Sequence, residues 1–187
     1  MTIVHPFGRS LAVAAVAALV AACTDAPLAP PRTRATAEAL APQLTKFRGD
    51  HADVISTIQR ATARYHNLEA ALADEFVFLH GCENRPDEGP VGTVYVHLGR
   101  LLDGVIGPAL PDALIYESRK NERPRLVGVE LAVPVALWTD PEPPAFLGAE
   151  FQREDEFGVF GLHVWAWRDN PEGLFAEANP RVSCESE

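Results

Sequence analysis

Basic side chains are scarce in this sequence. Lys and Arg together number 16 against 26 Asp and Glu, which gives a formal net charge of -10. Proteins that bind the phosphate backbone of nucleic acids do so through clustered Lys and Arg. The densest basic stretch is RKNERPR (119–125), which is typical of a hairpin tip. The composition therefore argues against a nucleic-acid partner, and any membrane contact needs an origin other than attraction to anionic lipid.

Signatures of well-known chemistry are missing as well. The sequence has no G-x-S-x-G nucleophile motif, no H-x-H or H-E-x-x-H metal motif and no C-x-x-C pair. The glycines of GPVGT (89–93) lack the lysine and the helix start of a phosphate-binding loop. We therefore predict no cofactor and no metal. A three-histidine site of His80, His97 and His163 stays open as an alternative, because metal ligands converge in space rather than in sequence.

The apolar run near the N-terminus is too short to cross a membrane. As a helix, LAVAAVAALVAA (11–22) would span about 18 Å, against about 30 Å for the hydrocarbon core. A weakly basic start precedes it and small residues lead to Cys23, which is the layout of an export signal. The segment VAAC resembles a bacterial lipobox, in which the cysteine is acylated and becomes the mature N-terminus. We predict a lipoprotein signal peptide over 1–22 and a lipid on Cys23. An ordinary secretory signal, with Cys23 incidental, is the alternative.

The two other cysteines fit an exported protein. In an oxidising compartment, a single disulfide between Cys82 and Cys184 is the economical pairing. It would close a loop of about 100 residues, for which chain-entropy models give about 4–5 kcal/mol. Two free thiols or a metal-binding pair are the alternatives.

The rest of the chain is predicted to form a spacer and one domain. Residues 23–49, the lipidated cysteine and spacer, begin with a proline-rich stretch that favours extended backbone. Residues 50–187 form the domain. From Asp50 to Asp74, apolar residues recur every three or four positions, which predicts one long amphipathic helix capped by Asp50. The apolar stripe consists of Val54, Ile58, Ala61, Tyr65, Leu68 and Leu72.

After this helix the sequence pattern is that of β-strands. The segments 75–81, 92–98, 112–118, 125–135 and 158–167 are rich in β-branched and aromatic residues and are joined by turn-rich loops. Pro134 is expected to end the hydrogen-bond ladder of its strand or to place that strand at an edge of the sheet. The pattern predicts an α+β fold, in which the long amphipathic helix packs on an antiparallel sheet of about five strands with one disulfide.

In the last predicted strand, alternation places His163, Trp165 and Trp167 on one face. Each ring combines apolar area with an N–H group that needs a partner. The face is therefore either core or a ligand site formed by His163, Trp165 and Trp167, with His97 as a further candidate. The acidic stretch FQREDEF (151–157) is predicted to be a solvated turn.

Three segments resemble a family of uncharacterised exported bacterial proteins, many with lipoprotein signals. They are DALIYE (112–117), RLVGVELAVP (125–134) and LHVWAWRDNPEGLFAEANPRVSC (162–184), the last of which fits the pattern LHVWxWxxNPxGxFxxxNPxVxC. The resemblance covers roughly residues 60–184 and implies one exported domain without implying a reaction. A histidine of the family pattern falls on Val94 here, and the nearest histidine is His97.

The predicted function is therefore coarse. We expect a lipid-anchored protein of the cell envelope, on the periplasmic or outer face, that binds a small molecule or an envelope protein. One alternative is a hydrolase-like envelope enzyme that uses His163 with His97 or a carboxylate. The other is a structural envelope protein with no site.

Overall fold

The computed structural model describes residues 43–44, 49–86 and 88–185. The predicted signal peptide and Cys23 lie outside the described residues, as does most of the spacer. The described stretches contain no helix that is long and apolar enough to cross a membrane. In chain order the elements are β1 (Gln43–Leu44), α1 (His51–Thr62), a 3-10 helix (Ala63–His66), α2 (Leu68–Ala73), β2 (Val77–Arg85), β3 (Gly89–Val96), α3 (Leu98–Leu101), β4 (Val105–Ile106), β5 (Ala113–Glu117), β6 (Arg125–Pro134), β7 (Ala145–Phe146), β8 (Ala149–Glu150), β9 (Gln152–Glu154) and β10 (Val159–Val164).

The single long helix predicted to start at Asp50 is wrong, because the segment is divided into α1, the 3-10 helix and the short α2. The start of α1 after Asp50 is as predicted. The side chain of Asp50 accepts a hydrogen bond from the backbone N–H of Asp53. In return, the side chain of Asp53 accepts a hydrogen bond from the backbone N–H of Asp50. The division coincides with two contacts. The hydroxyl of Tyr116 donates to the carbonyl of Tyr65 at 2.6 Å, and the side chain of Asn67 caps α2.

An antiparallel sheet of six strands, in the order β2-β3-β5-β6-β10-β9, forms the body of the domain. This confirms the α+β class and the antiparallel sheet. Strand β6 ends at Pro134, which lacks the N–H needed to continue a ladder. The sheet curls strongly. His80 on the edge strand β2 stacks on Phe157, just after the opposite edge strand β9, with ring centroids 5.5 Å apart.

The two faces of the sheet bury different apolar clusters. The helix face packs against Val54 and Ile58 of α1. The opposite face, which we call the cavity face, carries a second cluster that includes Ile115, Trp165 and Val182. The site described below lies on the cavity face.

The predicted disulfide between Cys82 and Cys184 is confirmed, with Cα atoms 5.4 Å apart. It joins strand β2 to the C-terminal segment. That segment also pairs with the end of β5, through a bridge between Ser118 and Cys184. Because Val182 belongs to the cavity-face cluster, the disulfide holds the C-terminal segment against this face.

Strand β10 ends at Val164, three residues before the predicted end at Trp167. Beyond it, the N–H of Trp165 donates to the carbonyl of Leu174 at 3.0 Å, and the N–H of Trp167 donates to the carbonyl of Val127 at 3.1 Å. The two-residue alternation of a strand therefore does not extend to Trp167.

Candidate functional site

Strand register places Glu130 and His163 side by side on the cavity face. Val96 of β3 lies opposite Ala113 of β5, Ala113 lies opposite Glu130 of β6, and Glu130 lies opposite His163 of β10. Side chains of directly opposed residues project from the same face of an antiparallel sheet. The carboxyl group and the imidazole are thus neighbours in one row that crosses four strands.

A second carboxyl group, from Glu154 of β9, joins this pair. One ligand atom from each of Glu130, Glu154 and His163 lies within 4.8 Å of the other two. We call this set the Glu-Glu-His cluster. Glu130 is only 6% exposed and His163 only 3% exposed, whereas Glu154 is half-buried. The carboxyl group of Glu130 and the imidazole are therefore shielded from water, and that of Glu154 reaches them from a partly solvated position.

Gly161 provides the space in which the two carboxyl groups meet. It lies between Ala132 of β6 and Gln152 of β9 in the ladder. A Cβ atom at this position would stand 2.5 Å from Oε1 of Glu130 and 3.0 Å from Oε1 of Glu154. A side chain here would therefore force the carboxyl group of Glu130 to shift and would crowd that of Glu154.

The imidazole of His163 has a fixed orientation. Its Nδ1 lies 2.7 Å from the carbonyl oxygen of Glu177. Because a carbonyl can only accept, Nδ1 must be the donor, and in the neutral ring the lone pair is then on Nε2. The Glu177 carbonyl therefore prepares Nε2 to accept a proton or to bind a metal.

A cavity of about 170 Å³ reaches the cluster. Most of its wall is apolar, but three carboxyl groups, those of Asp112, Glu130 and Glu154, also line it. The apolar part of the wall consists of Leu79, Val96, Leu98, Leu101, Ala113, Ala132, Phe157 and Val159. A small number of polar groups converging within an apolar pocket is typical of a ligand site. This cavity is smaller than most ligand pockets.

Asp112 is fully buried, and only half of its carboxyl group is satisfied. Its Oδ2 accepts from the N–H of Ala132 at 2.8 Å, while Oδ1 has no hydrogen-bond partner among the described residues. Burial, reinforced by the charge of Asp103, raises the pKa of Asp112 to about 8, and the charge of Arg100 opposes the rise. Asp112 is therefore largely protonated at neutral pH.

Glu130 is subject to the same effects. Burial raises its pKa well above the ordinary value, and the neighbouring charges of Glu154, Asp112 and Glu177 raise it further. Arg85 opposes the rise, but its guanidinium is already paired with Glu177 at 3.1 Å. The cluster thus holds more negative potential than its surroundings neutralise.

The two tryptophans have separate structural roles. Trp165 is 3% exposed, and its indole N–H donates to the carbonyl of Ala176 at 2.6 Å on the cavity face. Trp167 instead packs against the helix-face cluster, and its indole N–H donates to the hydroxyl of Thr62 at 3.0 Å. His163, Trp165 and Trp167 therefore do not form one continuous stripe.

The histidines considered from the sequence are also separated. His97 caps α3, and its ring lies 5.3 Å from that of Phe76 in the helix-face cluster. His80 stacks on Phe157, and its Nδ1 lies 2.8 Å from the carbonyl oxygen of Gly81. His163 is on the cavity face, so the structure groups it with carboxylates and not with His97.

Sequence reasoning did not identify Asp112, Glu130, Glu154 or Gly161 as site residues. Two of them carry a signal, because Asp112 and Glu130 are charges at the start of, or within, otherwise apolar strands. Glu154 carries no such signal in the sequence, because FQREDEF (151–157) resembles a solvated turn. The solvated-turn prediction is wrong for Glu154, which is a half-buried residue of β9.

The chain matches no family model, no curated protein and no solved structure. The chemistry of the site is therefore inferred from its own residues.

Proposed function

We propose that this protein is a lipid-anchored protein of the bacterial envelope whose domain binds a small cationic ligand at the Glu-Glu-His cluster. The observation that carries the proposal is the convergence of three carboxyl groups on one largely apolar cavity. Lipid on Cys23 and the location on the periplasmic or outer face follow from the export-signal pattern and the lipobox-like VAAC.

A cation fits this cavity better than an anion or a neutral molecule. Burying carboxyl groups without a partner costs stability, as the raised pKa of Glu130 reflects. A bound positive charge would favour the ionised form of Glu130. The apolar walls add room for a short hydrocarbon group. A purely structural protein would gain nothing from such a cluster, so this alternative is less favoured.

A hydrolase-like activity is the second candidate, because His163 has a fixed tautomer and lies beside two carboxyl groups. A base oriented in this way can accept a proton from water or from a substrate hydroxyl. His97 has no part in it, since its ring packs on the helix face. Ester hydrolysis by the purified chain that disappears in His163→Gln would favour this candidate, and its persistence in that variant would exclude His163 as the base.

The lipid anchor is tested by fatty-acid labelling in a bacterial host. We expect the full chain to incorporate labelled palmitate and Cys23→Ser to incorporate none, because the thiol of Cys23 is the proposed attachment point. Cys184→Ser is the matched control and should keep the label. Equal labelling of the two variants would contradict the assignment.

Cation binding is tested by NMR titration of the chelator-treated full chain with butylammonium, butyrate and butanol. We expect saturable amide shifts near Glu130 and Gly161 with butylammonium only. Glu130→Gln keeps the shape of the side chain but loses its charge, so it should weaken binding by about 10- to 100-fold. Removing a buried charge should leave this variant folded.

Glu69→Gln is the matched control, because it removes an exposed carboxylate on α2. Its affinity for butylammonium should equal that of the unmodified chain. An equal loss in both variants would show that only net charge matters and would overturn the proposed site.

A further inference from the structure

We propose that Glu130, Glu154 and Nε2 of His163 bind one divalent transition-metal ion, of which Zn²⁺ is the representative, with an open coordination position toward the apolar cavity. This inference rests on the proposed function and identifies its cation.

The ligand atoms are close to the separation that a metal requires. Zinc lies about 2.0–2.2 Å from imidazole nitrogen and carboxylate oxygen, so ligands on one ion are about 3–4 Å apart. One ring nitrogen of His163 and one carboxylate oxygen from each of Glu130 and Glu154 already lie within 4.8 Å of one another. Glu130 and His163 are directly opposed in the ladder, so we expect side-chain rotations to close the remaining gap.

The imidazole of His163 is held as metal-binding histidines usually are. In such histidines one ring N–H donates to a carbonyl or a carboxylate, which fixes the tautomer and aims the other nitrogen at the metal. Here Nδ1 donates to the Glu177 carbonyl at 2.7 Å. The backbone of the C-terminal segment therefore serves as the supporting hydrogen-bond acceptor.

Gly161 keeps the metal position open. A Cβ at this residue would stand 2.5 Å from Oε1 of Glu130, an oxygen of the carboxyl group that would bind the ion. Gly161 does not have a positive φ angle, so its backbone conformation alone does not require glycine. Space for the carboxyl groups is thus the visible reason for glycine at this position.

The ligand chemistry indicates the class of metal. One imidazole with two carboxylates suits Zn²⁺, Mn²⁺, Fe²⁺ or Co²⁺, whereas Ca²⁺ and Mg²⁺ prefer all-oxygen sites and Cu⁺ prefers sulfur. A separate observation points to a ligand in the same place. Oδ1 of the fully buried Asp112 has no hydrogen-bond partner among the described residues, and Asp112 lines the cavity that contains Glu130 and Glu154. We expect a water molecule on the open metal position to donate to this oxygen.

The site is tested by calorimetric titration of Zn²⁺ into the full chain. The chain carries Cys23→Ser, so that no free thiol competes, and is purified in detergent and stripped with chelator. We expect one zinc ion per chain. Glu130→Gln and His163→Gln should each weaken binding by about 100-fold, and Gly161→Ala by at least about tenfold. Circular dichroism of each variant verifies that it is folded.

Matched controls separate this site from adventitious binding. Gly81→Ala adds a methyl group to β2 where no atom lies within 4 Å, and His51→Gln removes an exposed imidazole. Both should bind zinc as the unmodified chain does. Unchanged binding in Glu130→Gln and His163→Gln, or loss of binding in His51→Gln, would overturn the inference.

Failure of this inference is distinguishable from failure of the proposed function. If butylammonium binds in a Glu130-dependent way and Zn²⁺, Mn²⁺ and Co²⁺ do not, the metal assignment is wrong and the cation site stands. If neither the metals nor butylammonium bind, both are wrong.

Discussion

Replacing Cys82 and Cys184 with serine together is expected to lower the free energy of unfolding by about 4 kcal/mol. The disulfide spans 102 residues of sequence, so its loss greatly increases the conformational entropy of the unfolded chain. It also releases the C-terminal segment, including Val182, from the cavity face. Urea denaturation of the full chain with and without the two substitutions measures the change.

The control for the disulfide is Cys23→Ser, which removes a thiol outside the bridge and should leave the urea midpoint unchanged. Treating the unmodified chain with a reducing agent should reproduce the effect of the double substitution. Coincident unfolding curves for the oxidised and reduced chains would contradict a structural role for the disulfide.

Asp112→Asn is expected to stabilise the chelator-treated protein increasingly as the pH rises from 5 to 8. The pKa of Asp112 is about 8 in the folded state, against an ordinary value of 3.8. Between these values the folded state binds more protons than the unfolded state, so stability falls as the pH rises, by up to about 1.4 kcal/mol per pH unit. The penalty is absent below about pH 4 and complete above about pH 8.

The measurement is the difference in unfolding free energy between Asp112→Asn and the unmodified chain at each pH. Taking the difference removes the titration of groups that do not interact with Asp112. Asparagine keeps an oxygen that can accept from the Ala132 N–H. A difference that stays constant from pH 5 to 8 would show that Asp112 is ionised in the folded state.

Local patterns in the sequence are enough for much of the fold. Alternating apolar residues predict the main strands, Asp50 has the side chain of an N-cap, and Pro134 cannot extend a ladder. The proposed export of the chain and its cysteine count predict the disulfide. The strands, the helix cap and the strand end depend on residues that are near one another in sequence. The disulfide depends only on there being one plausible pair of cysteines.

The divided helix needed information from distant residues. The apolar stripe continues past Thr62, but the carbonyl of Tyr65 accepts from Tyr116, which lies on β5. A hydrogen bond across this sequence distance leaves no periodic trace. The same holds for the end of β10, where Trp165 and Trp167 pair with Leu174 and Val127.

The candidate site was only partly predictable. His163 was identified because its ring stands in an apolar strand beside tryptophans. Its partners come from β6 and β9, and only the strand register brings Glu130 and Glu154 to it. The role of Gly161 emerges from the position that a Cβ would take, which no sequence pattern contains.

The most direct test of a metal site at the Glu-Glu-His cluster is anomalous diffraction at the zinc edge, from crystals of the full chain soaked in Zn²⁺. We predict one strong peak, about 2.0–2.1 Å from Nε2 of His163 and about 2.0–2.2 Å from a carboxylate oxygen of each of Glu130 and Glu154. Zinc bound only at exposed histidines such as His51 and His66, with no peak between the two carboxylates, would contradict the account.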